Sequence, residues 1–300
     1  MTLCAALLLW YGKEFEPYDD LLRSSLTAES WWLKALMSKK HKATVQRQFT
    51  RTANAFAKFA VRDSVEVLAE KVEFAKPQPQ ELVLDVACGP GAFVLAVAPR
   101  VSFAAGIDLT PEMLRQARQF QAEKQIVNAV FACADADHLP FPDASFDLIS
   151  CQHAIHHITK PEPVLLEMVR VMKPEGRLLI LDPLAPESDA KFELFNHIER
   201  LRDPSHTSSL RLTTFLSMFE EHRLEVLRQS LRRRLRSFDQ WMLRAGLKPG
   251  QKRYIETRKQ LEESMPGDKA GFAARANGED IQIIHNEGMF LARRLPADSL

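Results

Sequence analysis

The stretch Leu82-Val83-Leu84-Asp85-Val86-Ala87-Cys88-Gly89-Pro90-Gly91 runs from an apolar strand through an acidic residue into a Gly-x-Gly turn. Behind it, Ala92-Phe93-Val94-Leu95-Ala96-Val97-Ala98 reads as a helix. Strand, glycine turn and helix start in that order make a nucleotide-type binding loop, because glycines let the backbone approach a ligand closely. From this point strand and helix signals alternate. Strands are predicted at 82–86, 102–108, 129–134, 146–151 and 177–182. Between them, the helix at 111–124 opens with Thr110 as N-cap and Pro111 in its first turn. The helix at 161–172 also opens on proline, and Lys173-Pro174-Glu175-Gly176 reads as the turn that ends it.

Upstream, Phe49, Ala53, Phe56 and Ala60 form one stripe of an amphipathic helix. A second helical pattern (Val65, Leu68, Val72) is broken at Lys76-Pro77-Gln78-Pro79. Downstream, helices are expected at 191–202 and 212–222, a turn at Asp203-Pro204-Ser205-His206, and strands at 224–235 and 280–294 around a helical insertion at 237–266. The pattern predicts an α/β fold: a doubly wound, Rossmann-like, mostly parallel seven-stranded sheet with an antiparallel edge hairpin and a helical cap. Residues 1–44 are read as an N-terminal extension, artefactual or loose, because Met37-Ser38-Lys39-Lys40-His41-Lys42 resembles a start of its own. The main domain is 45–300, with cap elements at 45–75, 185–210 and 237–270.

Composition narrows the function classes. Of the 300 residues, 46% are hydrophobic and 26% charged, which excludes disordered and fibrous classes. A formal net charge of +1 argues against bulk nucleic acid as a partner. Cys4, Cys88, Cys133 and Cys151 have no paired spacing, which fits reduced thiols in a cytoplasmic protein. The apolar start Met1-Thr2-Leu3-Cys4-Ala5-Ala6-Leu7-Leu8-Leu9-Trp10 is too short to span a bilayer and lacks a signal peptide's basic leader, so no transmembrane segment is expected.

The loop itself discriminates among nucleotides. A dinucleotide site asks for a third glycine, G-x-G-x-x-G, and here that position is Val94. Asp85, inside the strand end, gains an NAD loop nothing, but it suits orienting the turn or accepting hydrogen bonds from a cationic ligand. Asp108 ends the next strand, where a carboxylate meets a ribose diol.

On these residues the chain resembles a class I S-adenosylmethionine-dependent methyltransferase. Asp85 to Gly91 resembles that family's first motif, and Asp108 with Leu109-Thr110-Pro111-Glu112-Met113-Leu114 resembles its ribose-binding acid and the helix after it. The segment 135–147, Asp135-Ala136-Asp137-His138-Leu139-Pro140-Phe141-Pro142-Asp143-Ala144-Ser145-Phe146-Asp147, is similar to the adenine-site segment, and Arg170-Val171-Met172-Lys173-Pro174-Glu175-Gly176 to the turn before the fifth strand. The Leu-Pro-Phe-Pro-Asp-x-Ser-Phe-Asp string at 139–147 resembles the ubiquinone/menaquinone-biosynthesis C-methyltransferases, as does Val45-x-x-x-Phe49-x-x-x-Ala53-x-x-Phe56. The chain departs from that group at Phe56-Ala57, often a Tyr-Asp pair there, and at Pro90, often threonine.

The resemblance implies S-adenosyl-L-methionine as cofactor and a small-molecule methyl acceptor, with no nucleic acid. Asp85, Ala87, Gly89 and Gly91 would surround the amino acid end of the cofactor. Asp108, Leu109 and Met113 would hold its ribose side, Asp135 and Ala136 its adenine, and Gln152 its methionine moiety. In Cys151-Gln152-His153-Ala154-Ile155-His156-His157, the four-residue spacing of His153 and His157 could suit two metal ligands, yet no carboxylate sits nearby in sequence. No metal is therefore expected. His153 and His157 stand instead as candidate general bases or as plain polar loop residues, with His206 able to approach from the cap. The cluster Arg228, Arg232, Arg233, Arg234 and Arg236 reads as a solvated strand face or as an RNA footprint. An RNA or protein methyltransferase, or an idle cofactor-binding module, stands as the alternative.

Overall fold

The computed structural model describes residues 28–62 and 65–296, and the side chains of 38–55 and 66–296. The apolar stretch 1–10, Cys4, and the Phe56 and Ala60 side chains lie outside the described residues. The chain divides into two units, Met1–Lys40 and His41–Leu300. Within the first, residues 28–40 are helical, the start of α1 (Ala28–Arg62). The second holds the rest of α1 and every other element.

Five parallel strands follow α2 (Val65–Ala75): β1 (Leu82–Val86), β2 (Phe103–Asp108), β3 (Ala129–Cys133), β4 (Phe146–Gln152) and β5 (Met172–Leu184). Helices α3 (Ala92–Val97), α4 (Pro111–Glu123) and α5 (Pro161–Val171) link them. After α6 (Asp189–Arg202) and α7 (Leu212–Glu221), β6 (Leu224–Ser237) and β8 (Asp280–Arg294) form the antiparallel hairpin. Between these two strands lie α8 (Phe238–Arg244), α9 (Lys252–Ser264) and a short strand, β7 (Arg275–Asn277). The sheet order is β3-β2-β1-β4-β5-β8-β6, with β7 paired on β8 outside that path. The expected seven strands are thus present, and β7 is an eighth.

Both faces of the parallel strands are covered, so β1 reads as a nearly continuous buried run. One apolar core joins Val83, Val94, Leu114, Phe131, Leu148 and Leu179 through the sheet. A second, around Phe195, Phe238, Trp241, Met242 and Phe272, lies among α6, α8 and β8 and gives the cap its own interior. Each fully buried large side chain there contributes about 1.5–3 kcal/mol, enough to hold the helical insertion in place.

Two expectations need correction. The turn at 173–176 lies inside β5 and not ahead of it: the strand begins at Met172, opposite Phe146, and the next pair is Leu148 opposite Arg177, so 173–176 bulge out unpaired. Gly176 makes this possible, since a Cβ there would lie 2.6 Å from Met172 Cγ and 2.9 Å from the Lys173 carbonyl oxygen. Nor is the arginine face of β6 simply solvated. Arg232 pairs with Glu70 at 2.6 Å, Arg234 and Arg236 both grip the buried Glu287, and Arg228 donates to the Phe74 carbonyl. Arg228 and Arg233 are the exposed members of the group.

Candidate functional site

Strand order fixes where a ligand can sit. β2 and β3 lie on one side of β1, and β4 and β5 on the other, so the chain reverses direction across the sheet between β1 and β4. At such a switch point the loops leaving the two strands separate and open a crevice. The register Val86 opposite Cys151 sets the turn at 87–91 beside the loop at 153–157 on its walls.

The first wall is the glycine turn. Ala87 (φ 56°), Gly89 (54°) and Gly91 (78°) all take left-handed backbone. For Ala87 this costs about 1–2 kcal/mol, a strain that collects at functional sites. The Cys88 N–H donates to the Ile107 carbonyl at 2.8 Å, tying the turn to β2. A Cβ on Gly89 would meet nothing within 4 Å, whereas one on Gly91 would lie 2.7 Å from the Phe131 ring. Gly89 therefore borders open space and Gly91 packs on β3.

Three carboxylates stand at successive strand ends. Asp85 is buried, and its Oδ1 has no hydrogen-bond partner. Burial pushes its carboxyl up to about 7, while hydrogen bonding by Ser150 and the charge of Lys71 work the other way. Asp108 accepts from the Gly89 N–H at 2.9 Å and the Thr110 N–H at 2.7 Å. Burial raises its pKa, and these two backbone donors hold it back. Thr110 occupies the N-cap of α4, although its side chain makes no capping bond. Asp135 is engaged by α1: Lys42 Nζ lies 2.6 Å from Asp135 and 2.5 Å from Asp137. Burial disfavours that ammonium, but the two carboxylates prevail and raise its pKa.

The same stretch of α1 spans the strand ends. Beyond Lys42, His41 Nε2 meets the His157 carbonyl at 2.9 Å, Gln46 donates to the Leu109 carbonyl, and the Phe49 ring stands edge-on to His157. Among the remaining predicted residues, Met113 is buried in the first turn of α4, Leu109 and Ala136 are half-buried, and Gln152 donates to Ser150 Oγ at 2.8 Å.

The second wall carries the histidines, which the fold sorts. Burial brings His153 down to about 3, and its backbone is left-handed at φ 52°. Burial likewise lowers His157 to about 3, with its Nδ1 3.0 Å from the Ser205 carbonyl oxygen. His206 comes in from the cap to 5.5 Å from the His156 ring, centroid to centroid, and its Nε2 faces Asn196 Oδ1. His156 stands apart. Asp182, at the end of β5 and fully buried, accepts from its Nδ1 at 2.9 Å and from its backbone N–H at 2.9 Å. Here is the carboxylate missing from the local sequence, brought in 26 positions along the chain by the pairing of β4 with β5. Lys42, Lys71 and the His156–Asp182 pair were not singled out in the sequence. The one visible signal was an aspartate closing a parallel strand beside the histidine loop. Among the described residues, no group of three or more His, Cys, Asp or Glu side chains is arranged to hold a metal ion.

Comparison with known proteins follows the same outline. The family described as "Methyltransferase domain" matches residues 84–180. The chain is 32% identical over 240 residues to the uncharacterised methyltransferase YcgJ of Bacillus subtilis, covering 80% of this chain and 95% of that protein. The crystal structure of YcgJ superposes with a TM-score of 0.70 at 30% identity, over 76% of this chain and 98% of that one. The demethylmenaquinone methyltransferase of Deinococcus radiodurans is 41% identical over 123 residues, 39% of this chain and 50% of that protein. The chain thus spans about half the length of this quinone-directed relative.

Proposed function

The chain belongs to the S-adenosylmethionine-dependent methyltransferases, and from that premise we propose that it methylates a small-molecule acceptor held between the strand-end loops and the cap. The observation that carries this reading is the β1/β4 crevice, with a glycine turn on one wall and an imidazole cluster on the other.

The residues fit the cofactor. The unpartnered buried Oδ1 of Asp85 suits a cationic ligand, and Gly89 leaves space for it against the backbone. A carboxylate has about four acceptor positions, so beyond its Gly89 and Thr110 donors Asp108 keeps room to accept from a ribose hydroxyl. In the proposed site Ala87 and Gly91 complete the turn around the amino acid end, Leu109 and Met113 back the ribose side, Asp135 and Ala136 receive the adenine, and Gln152 borders the methionine moiety. The cofactor supplies an activated methyl on a sulfonium centre. The protein's share is to align the acceptor with that methyl and to exclude water. Residues 41–55 of α1 cover the strand ends and serve that exclusion. The use of Arg232, Arg234 and Arg236 in internal ion pairs speaks against an RNA footprint on β6. The free thiols of Cys88, Cys133 and Cys151 favour a reducing, cytoplasmic setting.

The test is transfer of labelled methyl from the cofactor to panels of quinols, phenols, amines, RNA and protein. Label on a small molecule is expected. Label on RNA or protein alone, or cofactor uptake with no transfer, would replace this reading by one of its alternatives. As a control, Asp108→Ala removes two charge-assisted hydrogen bonds from the loop and should weaken cofactor binding at least about tenfold by calorimetry.

A second expected result concerns Lys42, which occupies the carboxylate proposed to receive the adenine amine. Lys42→Met should tighten cofactor binding about fivefold, since a half-exposed ion pair contributes about 1 kcal/mol. Weaker binding would mean that Lys42 orients Asp135 rather than competing for it.

A further inference from the structure

We propose that His156, oriented by Asp182, is the general base of the acceptor site, and that the acceptor is therefore a phenolic or enolic hydroxyl compound. The inference rests on the methyltransferase reading above and adds the acceptor's class to it.

The geometry is that of an oriented imidazole. Both oxygens of Asp182 are committed to His156, one to the ring and one to the main chain. A buried carboxylate accepts, so the ring hydrogen resides on Nδ1 and the lone pair on Nε2. Nε2 makes no hydrogen bond to any described residue, and the side chain keeps 15% of its surface exposed. The loop that carries it leaves β4 at the switch-point crevice, and the Thr207 N–H and hydroxyl both fasten the His156 carbonyl at 2.8 Å. Backbone and ring are thus both anchored, while the basic nitrogen is left available.

The neighbours select His156 among the histidines. Facing it are Asp182 from β5, Glu199 from α6, Asp203 and His206 from the loop after α6, and His153 and His157 from its own loop. Burial disfavours its imidazolium, but Asp182, by charge and hydrogen bond, with Glu199 and Asp203, raises its pKa above the ordinary histidine value. His153, His157 and His206 are all depressed by burial and are poor bases. His285 spends its Nε2 on Glu199.

A base matters only when the acceptor holds its proton at working pH. In the step, the acceptor oxygen attacks the methyl carbon, whose former bond electrons stay with sulfur. The O–H proton passes to Nε2, and the resulting imidazolium is neutralised by Asp182. Amines that are already free, and acceptors already ionised, would gain nothing from this arrangement. Asp182 acts here as a positioning residue.

The experiment uses the full chain, S-adenosylmethionine and a series of substituted phenols with pKa values from about 10 down to about 6. His156→Gln should lower kcat for the weakly acidic phenols roughly 100-fold or more, should leave phenols ionised at the assay pH within about threefold, and should not change cofactor affinity. With wild type, kcat for a weakly acidic phenol should rise with pH through a pKa above 6.5, and Asp182→Asn should move that limb downward. Nitrogen-15 spectra of labelled histidine should show His156 protonated at Nδ1 in wild type and altered in Asp182→Asn, independently of turnover. Equal losses on ionised and protonated phenols, or a His156 protonated at Nε2, would overturn the base. Transfer to amines but to no phenol would overturn it while leaving the methyltransferase reading intact. Cofactor binding with transfer to no acceptor would overturn both.

Discussion

Asp85→Asn is expected to stabilise the cofactor-free protein at pH 8 while weakening S-adenosylmethionine binding about 100-fold. Both effects follow from a carboxylate that is buried before its partner arrives. In an unfolded chain the group titrates near 3.9, whereas in the fold burial pushes it up to about 7. Between those values the folded protein holds a proton that the unfolded chain has released. Stability therefore falls as pH rises through this window and stays lower above it, by on the order of 4 kcal/mol. Asparagine has no charge to bury. Allowing for its own unsatisfied amide, it should recover about 1–3 kcal/mol at pH 8, several degrees in Tm, and nothing at pH 4. The proposed cationic ligand reverses the balance, because it favours the ionised carboxylate. Binding should release up to one proton near pH 6.5, read by calorimetry in buffers of contrasting ionisation enthalpy. Affinity should climb roughly tenfold or more from pH 5.5 to 7.5 in wild type relative to Asp85→Asn, a ratio in which the ligand's own titration cancels. Equal affinity of the two proteins at every pH would remove Asp85 from the site.

The elements that place this residue were legible because they rest on local pattern. β1 and β8 run over 82–86 and 280–294 as the alternation of apolar and turn residues implies. The elements that escaped are those decided by partners distant in sequence. Pro174 and Gly176 do turn the chain, but pairing of Met172 with Phe146 starts β5 ahead of them, so the turn becomes a bulge within the strand. The alternating arginines of β6 gave no hint that Glu287, buried on β8, would take two of them. Within the site, the aspartates at strand ends could be picked out by position. The contacts that set their chemistry could not: Lys42 reaches Asp135 across 93 positions, and His156 meets Asp182 only once β4 lies against β5. The histidines show the difference best. His153 and His157 had the suggestive spacing, but burial depresses both, and the residue between them in the fold's electrostatics is His156.

The two glycines of the turn should fail in opposite ways when each is replaced by alanine. At Gly91 the new Cβ would lie 2.7 Å from two atoms of the Phe131 ring and 3.0 Å from the Ala117 Cβ, on a backbone held at φ 78°. Left-handed strain costs about 1–2 kcal/mol, and overpacking in a filled core adds about 1–3 kcal/mol. Against a total stability of about 5–15 kcal/mol, the sum of about 2–5 kcal/mol should lower Tm by roughly 10 °C. At Gly89 the strain is similar, but the methyl projects into open space. Gly89→Ala should therefore cost only the strain, about 1–2 kcal/mol of stability, and weaken the proposed cofactor contact at least tenfold, because the methyl occupies the ligand's approach to the backbone. Phe131→Leu separates the two terms at Gly91. The smaller side chain makes room for the methyl but cannot change φ, so in a double-mutant cycle the pair should recover the overpacking part and leave the strain. Full recovery would make the turn's left-handed geometry inexpensive. No recovery would place the whole cost in the backbone, and the contact of the glycine turn with β3 would then have no part in holding the loop open for its ligand.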